Sequence, residues 1–364
     1  MTSPTRVVIP MLDFARSGGQ RVLSRLATEW SLQGLDVTLL THVSSDAPYF
    51  PTQARVVYVG DDGRPTAHPG PPSTKNVHPL IKMRAMRTAL SHADLRDGVA
   101  LATHNLTAWP VATARGVGRR IYYIQAYEPE YFHSRGLVRR TVLWHLARAS
   151  YRLPLQQVVN SPVYISHPAM KARNWVPAGI DLRDFHPEEQ PRTGPRRVIG
   201  CIGREETEKG TADVLQAFLQ LRQRGVEAVL KVAYGSVPDG LSGRDDIEVT
   251  VPANDAELGD FYRSLDVLVA PGHLQLGALH YPVLEGLASG IPVVHTGYMP
   301  GTKENSWIVP VKDPSAIART VEGILATPRD DENARLATAV RTAAEFSWPD
   351  VAGQWLPILN GREQ

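Results

Sequence analysis

The chain has 364 residues, of which 43% are hydrophobic and 21% are charged, a composition typical of a soluble protein long enough for two domains. A single cysteine excludes an intramolecular disulfide framework and a Cys-rich zinc site, and it suits a reducing compartment such as the cytoplasm. The formal net charge of +2 argues against a nucleic-acid-binding protein. The sequence shows neither a secretory signal nor a stretch of roughly 18 apolar residues that could span a membrane.

The net charge of the whole chain hides a difference between its halves. Residues 1–180 contain 21 Lys and Arg against 10 Asp and Glu, a net +11, whereas residues 181–364 contain 18 against 27, a net −9. This asymmetry indicates either a first half that meets an anionic partner or an unselected drift of surface charge.

The first fifty residues are typical of a strand, a glycine turn, a helix and a second strand. An apolar run at 6–12 predicts the first strand, and Gly18 and Gly19 interrupt it. Apolar residues then recur with helical spacing over 22–30, and 36–41 is the next apolar run. A unit of this length predicts a parallel βαβ crossover, and therefore a doubly wound sheet.

Further short apolar runs predict the other strands of an α/β chain. They lie at 56–59, 99–103, 121–124, 198–203, 228–233, 247–251, 267–270 and 292–295. The polar segment 188–197, with two prolines, has the composition of an interdomain linker. We therefore expect two Rossmann-like domains facing a central cleft, at 1–187 and 188–345, and a C-terminal helix in 346–364 that packs back across the hinge.

Two cations occupy a turn between a predicted strand and a predicted helix. Arg204 and Lys209 lie beside the helix N-terminus, where backbone amides already favour an anion. This arrangement predicts a diphosphate site that requires no metal. The alternative is that Glu205, Glu206 and Glu208 neutralise both cations at the surface.

A carboxylate follows in the loop-and-helix segment after the strand at 267–270. Glu285 is predicted to lie in the first turn of this helix. It would either accept hydrogen bonds from both hydroxyls of a ribose or only interact with the helix dipole, which contributes about 0.3–1 kcal/mol.

Taken together, these motifs resemble the retaining, nucleotide-sugar-dependent GT-B glycosyltransferases of glycosyltransferase family 4. The resemblance covers nearly the whole chain. Its parts are the Gly18-Gly19 loop with its helix, 176–181 with 185–187, the 203–210 turn, 262–267 and 282–294. The segments 262–267 and 282–294 are specific in combination.

The resemblance implies a donor site for a nucleotide diphosphate sugar. Arg204 and Lys209, with Gly18 and Gly19, would bind the diphosphate, and Glu285 would bind the ribose. The leaving phosphate would help to deprotonate the acceptor, and neither a metal nor another cofactor is expected. The sequence does not distinguish UDP, GDP and dTDP as the nucleotide.

One position departs from the family pattern. The family has a first glutamate eight residues before the one that corresponds to Glu285, and this chain has Gly277 there. If the loop is two residues longer than usual, Gln275 takes the place of that glutamate and forms the donor-sugar loop with Gly277, Ala278 and Leu279. An amide hydrogen-bonds sugar hydroxyls but carries no charge.

Polar residues follow two predicted strands of the first half. His104 lies where related enzymes carry a histidine that faces the donor sugar, and the alternative is a structural histidine. Gln125, Tyr127 and Glu128 are candidates for binding the acceptor, in a stretch similar to enzymes of rhamnose-containing glycans. Glu128 could instead cap the next helix.

That next helix, predicted over 137–153, carries much of the positive charge of the first half. Val138, Val142, Leu146, Ala149 and Leu153 define an apolar face, and a basic stripe contains Arg140, Trp144, Arg148 and Arg152, near Arg135 and Arg139. Residues 135–152 would contact an anionic membrane surface or an anionic acceptor, unless the arginines pair with acids elsewhere.

The sequence therefore predicts a bacterial, cytoplasmic, retaining glycosyltransferase that moves a hexosyl or deoxyhexosyl group to a hydroxyl or amine. Cell-envelope glycans and glycosylated small metabolites are both plausible products. Because the first glutamate is missing, a non-catalytic nucleotide-sugar-binding partner of another transferase is the main alternative. A phosphorylase or synthase with the same fold is another.

Overall fold

A computed structural model describes residues 5–15, 17–66, 77–132, 137–188, 196–235, 237–241 and 243–362. The chain divides into two units, one formed by residues 1–178 with 348–364 and the other by residues 179–347. Each unit has one mostly parallel sheet with helices, so the predicted α/β class with two doubly wound sheets is confirmed.

The first unit is built on an eight-stranded sheet in the order β4-β3-β2-β1-β5-β6-β7-β8. Its strands are β1 (Arg6–Met11), β2 (Asp36–His42), β3 (Arg55–Val59), β4 (Pro65–Thr66), β5 (Leu95–Ala102), β6 (Val117–Ile124), β7 (Gln156–Val159) and β8 (Asn174–Trp175). Its helices are α1 (Gly18–Leu32), α2 (Pro79–His92), α3 (Asn105–Thr113), α4 (Leu137–Ser150) and α10 (Trp348–Leu359), with the second unit's helices numbered between them. Only the β3–β4 pair is antiparallel among the described strands.

The C-terminal helix α10 completes the core of the first unit. Trp355 is fully buried, and its ring meets those of Trp30 and Tyr123 edge to face at centroid distances of 5.6 and 4.9 Å. The indole of Trp30 donates a hydrogen bond to the carbonyl of Ala352 at 3.4 Å. Because Trp30 lies on α1 and Tyr123 on β6, α10 joins two early elements of the chain.

The second unit has a six-stranded parallel sheet in the order β11-β10-β9-β12-β13-β14. Its strands are β9 (Arg197–Ile202), β10 (Ala228–Ala233), β11 (Ile247–Thr250), β12 (Val267–Ala270), β13 (Val293–His295) and β14 (Trp307–Ile308). Its helices are α5 (Thr211–Gln223), α6 (Asp255–Arg263), α7 (Tyr281–Ala288), α8 (Pro314–Ala326) and α9 (Arg329–Ala344).

Neighbouring residues of the second sheet enter different cores, as expected for a sheet covered on both faces. On β9, Ile199 packs in the cluster that includes residues of α5 and α8, whereas Val198 packs in the cluster with residues of α6 and α7. Val269 and Leu268 on β12 divide in the same way. The continuous apolar strands noted in the sequence therefore report burial on both faces.

The second unit begins earlier than the boundary predicted at residue 188. Ile180 forms a parallel bridge with Ser347, and Phe185 is fully buried in the core of the second unit. The carbonyl of Asp184 accepts a hydrogen bond from the guanidinium of Arg263 at 2.8 Å. The proline-containing composition marks 188–197 as a linker, but the preceding segment packs with the second unit. Most of that linker, 189–195, lies outside the described residues.

Candidate functional site

The turn after β9 carries the predicted diphosphate-binding cations. It ends at Gly210, which has a φ of +75° and begins α5. A Cβ on Gly210 would lie 2.2 Å from the carbonyl oxygen of Pro271, and one on Gly203 would lie 2.3 Å from that of Tyr234. Glycine is therefore required at both ends of the turn, since any side chain would collide with backbone.

Hydrogen bonds fix this turn to α5 and to the loop after β12. The hydroxyl of Thr211 accepts from the amide of Arg204 and donates to its carbonyl, both at 3.0 Å. The amide of His273 donates to the carbonyl of Glu208 at 2.8 Å, and the ring Nε2 of His273 lies 2.6 Å from Asp213 Oδ2. The turn is thus held from two sides before any ligand binds.

The two cations of the turn have no carboxylate partner among the described residues. Among the residues with described side chains, none places a carboxylate oxygen within 4.0 Å of Arg204 or Lys209. Burial lowers the pKa of Lys209, and the neighbouring Arg204 lowers this pKa further, whereas Glu206 and Glu208 act in the opposite direction. The positive charge of Arg204 therefore acts against that of Lys209, and a bound anion would relieve the repulsion between the two cations.

The predicted donor-sugar loop is hydrogen-bonded to the chain after β13. The amide of Gly277 donates to the carbonyl of Gly297 at 2.7 Å. Met299 donates from its amide to Ala278 at 3.0 Å and accepts at its carbonyl from the amide of His280 at 3.1 Å. The sequence analysis did not single out residues 297–299, which hydrogen-bond to the loop through their backbone as a neighbouring strand would.

A buried histidine supports the segment from below. His295 is fully buried, and its Nδ1 accepts hydrogen bonds from the amides of Gly297 and Tyr298 at 3.1 and 2.9 Å. Its Nε2 lies 2.9 Å from Ser306 Oγ and must carry the proton, because Nδ1 is an acceptor. Burial lowers the pKa of His295 to about 4, so the ring is neutral and both of its nitrogens are used.

The four predicted donor-sugar residues lie in one loop. Gln275 has a φ of +55°, which non-glycine residues adopt infrequently, and its carbonyl accepts from the amide of Ala278 at 3.0 Å. Leu279 forms a parallel bridge with Met299. The left-handed backbone of Gln275 turns the loop, but its assignment as the replacement for the family's glutamate stays a prediction.

The sequence analysis did not single out His280, which lies at the end of this loop. Its ring stacks on that of Tyr298, with a centroid distance of 4.5 Å and an interplanar angle of 27°. Its Nδ1 is buried and has no hydrogen-bond partner. Burial lowers the pKa of His280 to about 3, with additional effects of Lys209, His295 and Arg204.

Glu285 is buried in the second unit, where it has a protein partner. It is the fifth residue of α7, and the first turn of this helix has no acidic residue, so its prediction for the first turn is wrong. The helix begins at Tyr281 rather than closer to the glutamate, which also removes the dipole interpretation. Glu285 is 3% exposed, and its Oε2 accepts from the hydroxyl of Tyr262 at 2.8 Å. Its ribose-binding role stays a prediction.

In the first unit, His104 has partners on both ring nitrogens. It is the N-cap of α3, and its Nδ1 accepts from the amide of Leu106 at 3.1 Å. The proton therefore lies on Nε2 in the neutral ring, and Nε2 is 3.3 Å from Glu128 Oε2. The side chain is 43% exposed, so it is accessible, but its predicted contact with a donor sugar stays untested.

Glu128 accepts a hydrogen bond at the start of α3, and no described hydrogen bond joins its carboxylate to α4, the helix that it could alternatively have capped. Its Oε1 accepts from the amide of Asn105 at 2.9 Å and from the hydroxyl of Tyr122 at 3.1 Å. The side-chain amide of Asn105 donates to Oε2. Burial and the Glu128 carboxylate raise the pKa of Tyr122, so its hydroxyl remains a donor. The carboxylate oxygens of Glu128 thus already accept hydrogen bonds from protein groups, and the predicted binding of the acceptor substrate by Glu128 stays a prediction.

The other predicted residues of the first unit lie close to α1 and β6. Gly18 and Gly19 were predicted to form a turn, but they are the first two residues of α1. Gln125 Nε2 donates to the carbonyl of Gly19 at 3.4 Å, which places the start of α1 against this side chain. Tyr127 is 9% exposed, and its ring lies 4.3 Å from that of His167. The structure therefore joins Gly19 with Gln125, and it gives Tyr127 mainly buried contacts.

The predicted apolar face of α4 is not its buried face. Val142 and Leu146 are 53% and 43% exposed, whereas Ala147 and Ser150 are fully buried. The guanidinium of Arg148 lies 5.0 Å from the centroid of the Trp144 ring. Arg135 is outside the described residues, and no helix in the described part of the chain is long and apolar enough to cross a membrane.

Comparisons with known proteins give a consistent result. Residues 196–327 match the family Glycosyl transferases group 1. The chain is 31% identical over 268 residues to the O-antigen biosynthesis protein RfbC of Myxococcus xanthus, which covers 69% of this chain and 20% of RfbC. The chain thus spans about a fifth of the length of that relative.

Solved structures match over nearly the whole chain. Sucrose-phosphate synthase of Thermosynechococcus elongatus gives a TM-score of 0.72 at 17% identity, with 97% of this chain and 98% of that one covered. HepE of Anabaena, solved in complex with UDP and glucose, gives 0.68 at 12% identity, with 98% and 99% covered. At these identities the likeness establishes a common fold.

Proposed function

This chain has the GT-B fold and carries a Glycosyl transferases group 1 domain at residues 196–327, and we propose that it is a retaining glycosyltransferase. It moves a sugar from a nucleoside diphosphate to a hydroxyl or amine of an acceptor. The observation that carries this proposal is the fixed turn with Arg204 and Lys209, two neighbouring cations beside the start of α5 with no carboxylate oxygen of a described residue within 4.0 Å.

The proposed chemistry follows from the charge that develops on the leaving group. The bond from the anomeric carbon to the phosphate oxygen breaks, the bond to the acceptor oxygen or nitrogen forms, and the acceptor proton passes to the leaving phosphate. Arg204 binds phosphate oxygens through its planar guanidinium, and Lys209 adds a point charge. Both groups stabilise the diphosphate most strongly when it departs, and they do so without a metal.

The similar proteins HepE and RfbC suggest which donor and which product to test first. HepE is solved with UDP and glucose, so UDP is the first nucleotide to test, followed by GDP and dTDP. RfbC is named as an O-antigen biosynthesis protein, which favours a cell-envelope glycan as product. The observed loop from Gln275 to Leu279 is proposed to hold the donor sugar through amide and backbone groups.

Thermal shift with UDP, GDP, dTDP and inorganic pyrophosphate tests the donor site, because ligand binding to the folded chain raises the melting temperature. We expect the wild type to be stabilised, and Arg204→Ala and Lys209→Ala to lose this effect. Arg224→Ala is the matched control, since Arg224 is a surface arginine of the same unit paired with Glu322. Stabilisation retained in both site variants would contradict the proposal.

Turnover is then tested with sugar donors of the nucleotide that binds. Transfer or slow hydrolysis of one donor, retained in EDTA, is the expected result. Loss of activity in EDTA would contradict the metal-free mechanism. Because the family's first glutamate is missing from this loop, where Gly277 stands eight residues before Glu285, tight nucleotide binding without any turnover would favour the non-catalytic partner instead.

We also propose that α4 contacts an anionic membrane surface. Val142 and Leu146 are exposed apolar residues of this helix, Arg148 lies on the same helix, and Arg152 follows its last residue, Ser150. Exposed apolar groups and positive charge in one segment are the two contributions that hold an interfacial helix on anionic lipid.

A further inference from the structure

An unused polar atom belongs to His280, the residue that directly follows the proposed donor-sugar loop. His280 is the N-cap residue of α7, yet its side chain makes no capping hydrogen bond. In the same unit, the N-cap side chains of α6 and α8, Asn254 and Asp313, each accept from a backbone amide of their helix. The imidazole of His280 is therefore not used to cap its helix, and its buried Nδ1 has no partner.

The ring of His280 is nevertheless held in place. It stacks on Tyr298, whose hydroxyl donates to the carbonyl of Leu274 at 2.7 Å and whose amide donates to His295 Nδ1 at 2.9 Å. The backbone amide of His280 donates to the carbonyl of Met299 at 3.1 Å. A side chain that is fixed by its neighbours, but keeps one buried polar atom unpaired, is preorganised for a ligand.

The charges around this ring indicate the kind of ligand. Lys209 and Arg204 both act on His280 and disfavour its protonation, as does the nearby His295. A third cation would add to the repulsion between Lys209 and Arg204, whereas a neutral imidazole adds a hydrogen-bond donor without adding charge. Phosphate oxygens accept hydrogen bonds and donate none, so a diphosphate next to these cations would pair with an N–H of the ring.

We propose that His280 is a further donor-binding residue, whose Nδ1–H donates a hydrogen bond to a diphosphate oxygen of the nucleotide sugar. This inference rests on the proposed function, because it assumes that Arg204 and Lys209 bind the same diphosphate. The Nδ1-protonated neutral tautomer leaves Nε2 as the lone-pair nitrogen. Tyr298 acts as the platform that orients the ring.

Three variants at position 280 separate the Nδ1 contact from packing. His280→Phe keeps an aromatic ring for the stack on Tyr298 and removes both nitrogens. His280→Asn places an amide nitrogen close to the position of Nδ1, whereas His280→Gln extends further, towards the position of Nε2. His186→Phe is the matched control, since His186 is an exposed histidine of the same unit.

Dissociation constants for inorganic pyrophosphate, UDP, GDP and dTDP are measured by titration calorimetry on the full chain. We expect His280→Phe to weaken binding of pyrophosphate and of the preferred nucleotide by about 10- to 100-fold, the effect of losing one hydrogen bond to a charged group. His280→Asn should recover most of this loss and His280→Gln little. The melting temperature without ligand should be unchanged or higher in His280→Phe, because the variant keeps the stack on Tyr298 and removes an unpaired buried nitrogen. A lower affinity in this variant is then not caused by unfolding.

The outcomes distinguish this inference from the proposed function. Wild-type affinity in His280→Phe, with binding lost in Arg204→Ala and Lys209→Ala, would overturn the role of His280 and leave the donor site intact. Equal affinities of the Asn and Gln variants would overturn the assignment to Nδ1. If the wild type binds neither pyrophosphate nor any of the three nucleotides, the proposed function itself fails.

Discussion

Two polar clusters of this protein differ in how their hydrogen bonds are used. Around Glu128, in the first unit, the carboxylate accepts from Asn105 and Tyr122, and His104 is held by Leu106 and by Glu128. Around Lys209, in the second unit, no carboxylate of a described residue pairs with the cations, and none of the described residues hydrogen-bonds to the Nδ1 of His280.

The difference indicates which cluster stabilises the fold and which awaits a ligand. A satisfied buried network contributes to stability, and its loss leaves several donors without an acceptor. Uncompensated charges cost stability in the free protein and are compensated only when a counter-charge binds. We therefore expect substitutions in the first cluster to reduce stability, and substitutions in the second to reduce ligand affinity.

The largest expected effect on stability is that of Glu128→Ala. It removes the acceptor of Asn105 and Tyr122, and we expect a loss of about 3 kcal/mol in the free energy of unfolding, from two or three buried donors left unpaired. Urea unfolding followed by tryptophan fluorescence measures it. Glu322→Ala, at an exposed ion pair, is the control and should change stability by less than about 0.5 kcal/mol. A similarly small change in Glu128→Ala would make Glu128 available for an acceptor instead.

A pH effect comes next, from the two neutral histidines of the second unit. The pKa values of His280 and His295 are lowered to about 3 and about 4 in the folded chain, against about 6.5 when unfolded. The unfolded state therefore binds more protons below pH 6.5, and stability falls as the pH falls from there towards 4. At pH 5 the loss is at most about 2 kcal/mol for each histidine, and less for His280, which is the more exposed.

Urea denaturation of His280→Phe at pH 7 and pH 5 measures how much of the stability loss at low pH comes from His280. The variant should lose less stability than the wild type between these two values, whereas His186→Phe should behave as the wild type. An identical loss in His280→Phe and the wild type would mean that the ring of His280 is not kept neutral by the fold.

Substitutions of the two cations of the proposed donor site should affect stability little, although they should strongly weaken ligand binding. Arg204→Ala and Lys209→Ala should change the free energy of unfolding by less than about 0.5 kcal/mol, or raise it slightly, because each removes one of two repelling cations. The same urea titration measures it without ligand. A loss above about 1 kcal/mol would place these residues among the stabilising groups and erase the contrast between the clusters.

The smallest effect concerns α4. Arg148→Gln with Arg152→Gln should weaken binding to phosphatidylglycerol vesicles several-fold, at about 1 kcal/mol or less for each arginine near the surface. Flotation at low and high salt, with phosphatidylcholine vesicles for comparison, measures it. Arg224→Gln is the control. Equal binding of the double variant and the wild type would contradict the membrane contact and favour unselected drift of surface charge as the origin of the positive charge in the first half.

Where the sequence analysis failed, the cause was the neighbourhood of a residue in space. The periodicity of α4 correctly indicates a helix, but whether Val142 or Ala147 is covered depends on elements distant in the chain. The boundary at 188 was drawn from composition, whereas Phe185 belongs to the second core because it packs near Tyr262. The sequence did not identify His280 as a candidate binding residue, because a single histidine in a loop forms no motif or periodic pattern.

The sequence by itself determined the α/β class, most strands of both sheets and the turn with Arg204 and Lys209, because apolar runs and glycine breaks are local properties of the chain. It did not predict the short strands β4, β7, β8 and β14. Only the tertiary structure decided which polar groups are satisfied. Glu128 finds its donors on α3 and β6, whereas in the described part of the chain Lys209 has no carboxylate partner and the Nδ1 of His280 has no hydrogen-bond partner. Whether a charge stabilises the fold or waits for a ligand depends on distances across the fold, which spacing along the chain does not encode.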